Sequence, residues 1–235
     1  MATIQSELAK IFVAGLRPVF QARGFKKNRN NYWRELDGVS QVIAFQLPPF
    51  DPPFRYGEPE PPDPNIGRIF LELGVAMLDG VGFYSSGKPP SVSGCEFRIT
   101  AEGLAARDEP FPWRLTDVDA IRSDLENLLP AIDEWFEGLA SLDAALNRIE
   151  TSQGGGVPSR WRAIRSRHER GERELAQMVI DAHIGGGPLN KSHFRLVESF
   201  AAQHGYSIPR EKLALQVDYE RGGFPPWQME PDFLT

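Results

Sequence analysis

Residues 32–46, YWRELDGVSQVIAFQ, decide the fold. Two runs rich in aromatic and β-branched residues flank Asp37-Gly38, a pair suited to a two-residue hairpin turn in which both central positions take positive φ. That turn fixes a register. Leu36 faces Val39, Arg34 faces Gln41, Trp33 faces Val42 and Tyr32 faces Ile43. Cross-strand pairs of this type stabilise a sheet by roughly 0.2–1 kcal/mol each. An antiparallel hairpin over residues 31–46 is therefore predicted, joined in the same sheet by residues 67–78.

On the N-terminal side, Ile4, Leu8, Ile11, Phe12, Leu16, Val19 and Phe20 recur at helical spacing, which predicts a helix over residues 3–22. Pro18 should kink or divide it, and Gly24 supplies a stop. On the C-terminal side, eight prolines fall within residues 48–64, a density that forbids helix and interior strand alike. GRIFLELGVAML (67–78) and CEFRIT (95–100) then read as strands, completing an antiparallel sheet of about four. From Thr116, whose spacing from Asp119 fits a capping box, the pattern becomes a helical pair broken or kinked at Pro130. TSQGGGVPS resists regular structure. The expected organisation is an α+β domain over 1–150, a linker over 151–157 and a mainly helical appendage over 158–235. Within the appendage RWRAIRSRHERGERELAQMVIDAH reads as helix, Leu175, Met178 and Val179 form an apolar stripe suited to docking on the first domain, and LALQVDYE fits a strand or a helix.

The helix ending in LRPVFQARGFKKNRNNYWRE, then DGVSQVIAFQ, then FLELGVAM resembles the bacterial domain of unknown function 4304 family. The resemblance rests on Leu16, Pro18, Gly24, Phe25, Lys26, Lys27, Tyr32, Trp33, Phe45 and Gln46 and covers roughly residues 5–125. It implies an α+β domain and carries no catalytic residues to transfer.

Charge and composition narrow the function. The net charge of -6 argues against generic binding to nucleic acid or anionic membrane. It is uneven: 11 Lys/Arg and 10 Asp/Glu lie from Val157 onward, against 15 and 22 before it. No apolar run approaches the ~18 residues of a membrane span, and the polar N-terminus lacks a secretion-signal core. Cytoplasmic residence is expected. The single cysteine, Cys95, sits in a predicted strand and reads as a buried, inert thiol.

Motifs for chemistry are missing. GGGPLNKS (185–192) resembles a P-loop, but Asn190 stands where glycine is required and a helical pattern precedes it. The four histidines, His168, His183, His193 and His204, show no metal-ligand spacing. No G-x-S-x-G elbow occurs. No cofactor, metal or catalytic residue is assigned. The run Arg160, Arg162, Arg165, Arg167, Arg170 and Arg173 is interleaved with Glu169, Glu172 and Glu174, as on a solvated or docking face with i,i+4 pairs Arg165–Glu169 and Arg170–Glu174.

These readings point to a non-catalytic cytoplasmic binding protein with a protein partner, in one version an immunity or antitoxin-like protein. The partner-binding residues are expected to be Phe50, Phe54 and Tyr56 in the proline-rich segment, with Lys26, Lys27 and Arg34 around the hairpin. The rival readings are a hydrolase-like enzyme with dispersed catalytic residues and weak nucleic-acid binding through the arginine-rich helix.

Overall fold

The structure, a computed structural model, describes residues 13–46, 69–81, 87–109, 111, 113–114, 118–151, 160–185 and 191–208. Phe50, Phe54 and Tyr56, the proline-rich segment, Thr116, most of the linker and LALQVDYE lie outside the described residues. The chain divides into two compact units, Met1–Ala145 with Gly154–Val157, and Leu146–Gln153 with Pro158–Thr235.

The first unit is α+β. Residues 13–15 are helical, Leu16 interrupts them, and α1 (Arg17–Gln21) follows with Pro18 in its first turn. There the missing N–H has no helical acceptor to lose, so Pro18 divides the helix. Five strands form one antiparallel sheet in the order β1-β2-β3-β4-β5: Lys26–Asn28, Asn31–Leu36, Val39–Gln46, Phe70–Met77 and Phe97–Thr100. The sequence suggests about four. The addition is β1, whose three polar residues are too few to show a period of two. It forms because Arg29-Asn30 folds Asn28 back onto Asn31, with Arg29 at φ 52°.

The central hairpin has the expected register through all four named pairs. Its turn differs from expectation, since only Gly38 has positive φ, at 69°. The Asp37 carbonyl accepts the Leu142 N–H at 2.8 Å and Asp37 bridges Ser141, so the start of a later helix shapes the turn.

One face of the sheet carries Tyr32, Val39, Ile43, Phe45, Leu71, Leu73, Val75 and Met77, all buried. Each such side chain stabilises the fold by roughly 1.5–3 kcal/mol. Phe20 of α1 packs on this face against Tyr32, with ring centroids 4.7 Å apart. α2 (Ala101–Leu104) follows β5, with the Thr100 hydroxyl accepting the Gly103 N–H. α3 (Val118–Glu137) buries Ile121, Leu125, Leu128, Ile132 and Phe136 and continues through Pro130 without a break. Proline inside a helix costs about 3 kcal/mol, but Pro130 is exposed while Leu128 and Ile132 on either side are buried. The helical pair therefore separates at residues 138–141, before α4 (Leu142–Thr151), and not at the proline. The opposite sheet face is built of small residues: Val42, Ala44 and Ala76 cluster with Val92 and Cys95, and Trp33 packs at the margin.

The described residues of the second unit are mainly helical, with α5 (Arg160–Glu169), α6 (Arg173–Gly185) and α7 (Lys191–His204) beside the end of α4. The long helical pattern from Arg160 to His183 is cut at Gly171, φ 74°. Ala176, Val179, Ile180 and Ile184 form the buried stripe of α6. Only Val179 of the expected docking stripe belongs to it; Leu175 and Met178 are 39% and 64% exposed. No helix among the described residues is long and apolar enough to cross a membrane.

Candidate functional site

The four cations of the stretch Lys26–Arg34 separate into two groups. Lys26 and Lys27 lie on the edge strand β1, Arg29 in the turn beside it, and all three are exposed. Both lysines precede the hairpin expected over residues 31–46, and β1 gives them fixed, alternating directions. Lys26 shares a face with half-buried Trp33, its Nζ 5.7 Å from the ring centroid. Lys27 lies opposite Tyr32, on the other face.

Arg34 points inward. Its Nε donates to Gln41 Oε1 at 2.9 Å and a terminal nitrogen donates to the Arg23 carbonyl at 2.5 Å. The guanidinium lies over the Phe25 ring at 4.4 Å from its centroid and at 5.9 Å from that of Phe136. Burial pulls the Arg34 guanidinium below its ordinary value; Asp133 and Glu137 push upward and Arg23 downward. Arginine keeps its charge regardless. Arg23 in turn donates to Asp133 Oδ1 at 3.0 Å, and fully buried Gln41 donates from Nε2 to the Phe136 carbonyl at 2.8 Å and the Leu139 carbonyl at 3.4 Å. The end of α3 leaves carbonyls without helical partners. Gln41, reaching from the middle of the sheet, gives the Phe136 carbonyl a second donor beside the Leu139 N–H and reaches the Leu139 carbonyl as well.

Cys95 is a closed position. Burial, aided by Glu96 and opposed by Arg98, pushes its thiol up to about 12, and Sγ donates to the Ser91 carbonyl. It is a thiol at neutral pH, not a thiolate nucleophile.

The second unit assembles a cluster that sequence reasoning missed. His168 of α5 and His204 at the end of α7 have ring centroids 4.2 Å apart. Tyr206 Oη lies 2.8 Å from His168 Nδ1. Phe200 touches both imidazoles and stacks on Tyr206 at 5.9 Å. Arg173 of α6 covers the Tyr206 ring at 4.7 Å and donates to the Gly205 carbonyl. Burial raises the Tyr206 hydroxyl against the pull of Arg173, keeping it protonated. The cluster grows from the end of α7, where Gly205 at φ 70° turns the chain and the Tyr206 N–H bonds the Ala201 carbonyl. Histidines 168 and 204 have no common local motif, so only the folded chain unites them. Among the described residues no group of three or more His, Cys, Asp or Glu is placed to hold a metal ion.

The arginine run is largely engaged inside this unit. Arg160 donates to the Ala182 carbonyl. Arg167 is buried and bonds Glu150, Glu172 and Asn147 at 2.9, 2.8 and 3.1 Å. Arg170 pairs with Glu172 rather than Glu174, because Gly171 ends the helix between them. Helix α6 runs to Gly185, so a helix and not a strand precedes GGGPLNKS. No family model, curated protein or solved structure matches the chain.

Proposed function

We propose that this chain is a non-catalytic binding protein that receives a protein partner on the β1–β2 hairpin. The observation that carries the reading is the group of exposed cations, Lys26, Lys27 and Arg29, beside half-buried Trp33, in a chain whose net charge is -6. A local inversion of sign next to an aromatic anchor suits recognition of an acidic surface. Arg34 supports this surface from behind by holding Phe25 and Gln41. On sequence grounds Phe50, Phe54 and Tyr56 belong to the same partner surface. Occlusion of a toxin by a cytoplasmic immunity or antitoxin-like protein is one concrete form.

The test is recovery of a stoichiometric partner by the full chain and by Lys26→Glu/Lys27→Glu, with folding of both checked by circular dichroism. The double variant should lose that partner. Equal recovery by both proteins would sink the proposal.

A hydrolase-like enzyme is the second reading, favoured by the meeting of His168, His204 and Tyr206 in space. It predicts turnover of an ester, phosphoester or peptide substrate that His168→Gln and His204→Gln abolish. Binding to nucleic acid through the arginine helix is weakened by the internal partners of Arg160, Arg167 and Arg170.

A further inference from the structure

Hairpin geometry decides which backbone groups of β1 remain free. Asn28 and Asn31 close a two-residue turn, so they form a hydrogen-bonded pair, as do Lys26 and Trp33 two residues on. Lys27 falls between these pairs. Its N–H and C=O consequently point away from β2, toward the edge that no described strand covers. The side chains on that edge are cationic on both faces, Lys26 beside Trp33 and Lys27 on the Tyr32 face, with Arg29 at the tip.

Resting on the binding role proposed above, we infer that the protein partner supplies an extended acidic segment, which adds to β1 as a further antiparallel strand. Strand addition takes its affinity from main-chain hydrogen bonds and its specificity from alternate side chains. Lys27 provides one donor and one acceptor. Because cations stand on both faces, neighbouring carboxylates of an extended segment each find a partner, one at Lys26 and the next at Lys27. A helical acidic segment would present its carboxylates without offering N–H and C=O groups to the edge. Lysines on an edge also discourage unwanted sheet pairing between like molecules. Opposite charge in the added strand turns that guard into selection for an acidic sequence.

The probe is the acetylated, amidated peptide Glu-Glu-Val-Glu-Glu-Val, titrated into the full chain at low salt while the Lys27 amide is followed by NMR. A second peptide of identical sequence is N-methylated at alternate residues, which preserves charge and removes the pairing N–H groups. The unmodified peptide should bind and protect the Lys27 amide from exchange. The N-methylated peptide and the Lys26→Glu/Lys27→Glu protein should each bind about tenfold or more weakly, a loss of about 1.4 kcal/mol. Equal binding of the two peptides would overturn strand addition while leaving a charged recognition edge. Equal binding of the unmodified peptide to both proteins, or to neither, would overturn the acidic-segment inference and leave β1 as an aggregation guard. Partner recovery by the full chain judges the binding role separately.

Discussion

Replacing Arg34 with methionine tests the division of the hairpin cations into a structural member and free ones. The substitution removes the hydrogen bonds to Gln41 Oε1 and the Arg23 carbonyl and the guanidinium from the Phe25 face, leaving the buried Gln41 Oε1 and the half-buried Arg23 carbonyl without that donor. Hydrogen bonds from a charged donor contribute about 1.5–3 kcal/mol each, and an aromatic face adds about 0.5–1 kcal/mol. Partial exposure reduces these values, and methionine recovers much of the packing of the arginine stem. A net loss of about 2 kcal/mol is expected, or about 4–8 °C in Tm for a unit of this size. Lys26→Ala/Lys27→Ala removes exposed side chains and should cost less than about 1 kcal/mol. Guanidinium unfolding followed by tryptophan fluorescence measures both. Equal costs, or a larger cost for the lysine pair, would refute the division. The lysine variant is then the proper probe of binding, because a loss of capture in the Arg34 variant would mix recognition with instability.

Arg167→Met should destabilise the second unit by about 3 kcal/mol, because it leaves Glu150 and Glu172 without their buried cation; calorimetry showing less than about 1 kcal/mol would make the network incidental. Gly74→Ala should cost about 1–3 kcal/mol by overpacking, since an added Cβ would lie 2.7 Å from Cys95 Sγ and 2.9 Å from Val42 Cγ1. Denaturation at two pH values should expose the Cys95 environment. Its thiol is raised in the folded chain from 9.0 to about 12, so the unfolded chain releases the proton first and stability falls as pH rises between these values. The slope is about 1.4 kcal/mol per pH unit from this group, and Cys95→Ala should reduce it, leaving above about pH 10 the part that buried Tyr32 contributes; an unchanged slope would contradict the burial assigned to the thiol.

The central hairpin was readable from sequence because its signals are local: a Gly-containing turn and a period of two fix the pairing from Tyr32 to Ile43 without reference to the rest of the chain. Strand β1 was not, since three residues carry no period, and its existence follows from Arg29 adopting a left-handed conformation that sequence does not advertise. The exposed lysines were foreseeable as a cationic group, whereas the inward turn of Arg34 depends on Phe136 and Asp133, about a hundred positions away in the chain. The helix is not broken at Pro130, for a related reason. A proline's local cost was visible, but the burial of Ile132 and Phe136 that offsets it was tertiary. The meeting of His168, His204 and Tyr206 had no sequence signal at all, because two helices far apart in the chain, α5 and α7, bring its parts together.

The hydrogen bonds from Gln41 to the end of α3 span 95 and 98 residues of chain, and the Arg23–Asp133 bond spans 110. Their timing in folding follows from that separation. An isolated hairpin closes in roughly 1–10 μs, but contacts between distant segments form only after a large loop has lost its freedom. The turn at Asp37-Gly38 should therefore zip early with Gln41 still bonded to water, and the amide should exchange water for the Phe136 carbonyl after the rate-limiting step. In stopped-flow measurements Gln41→Leu should accelerate unfolding while leaving the refolding rate nearly unchanged. A slowed refolding limb would instead put the amide in the nucleus and make α3 docking the event that starts the fold.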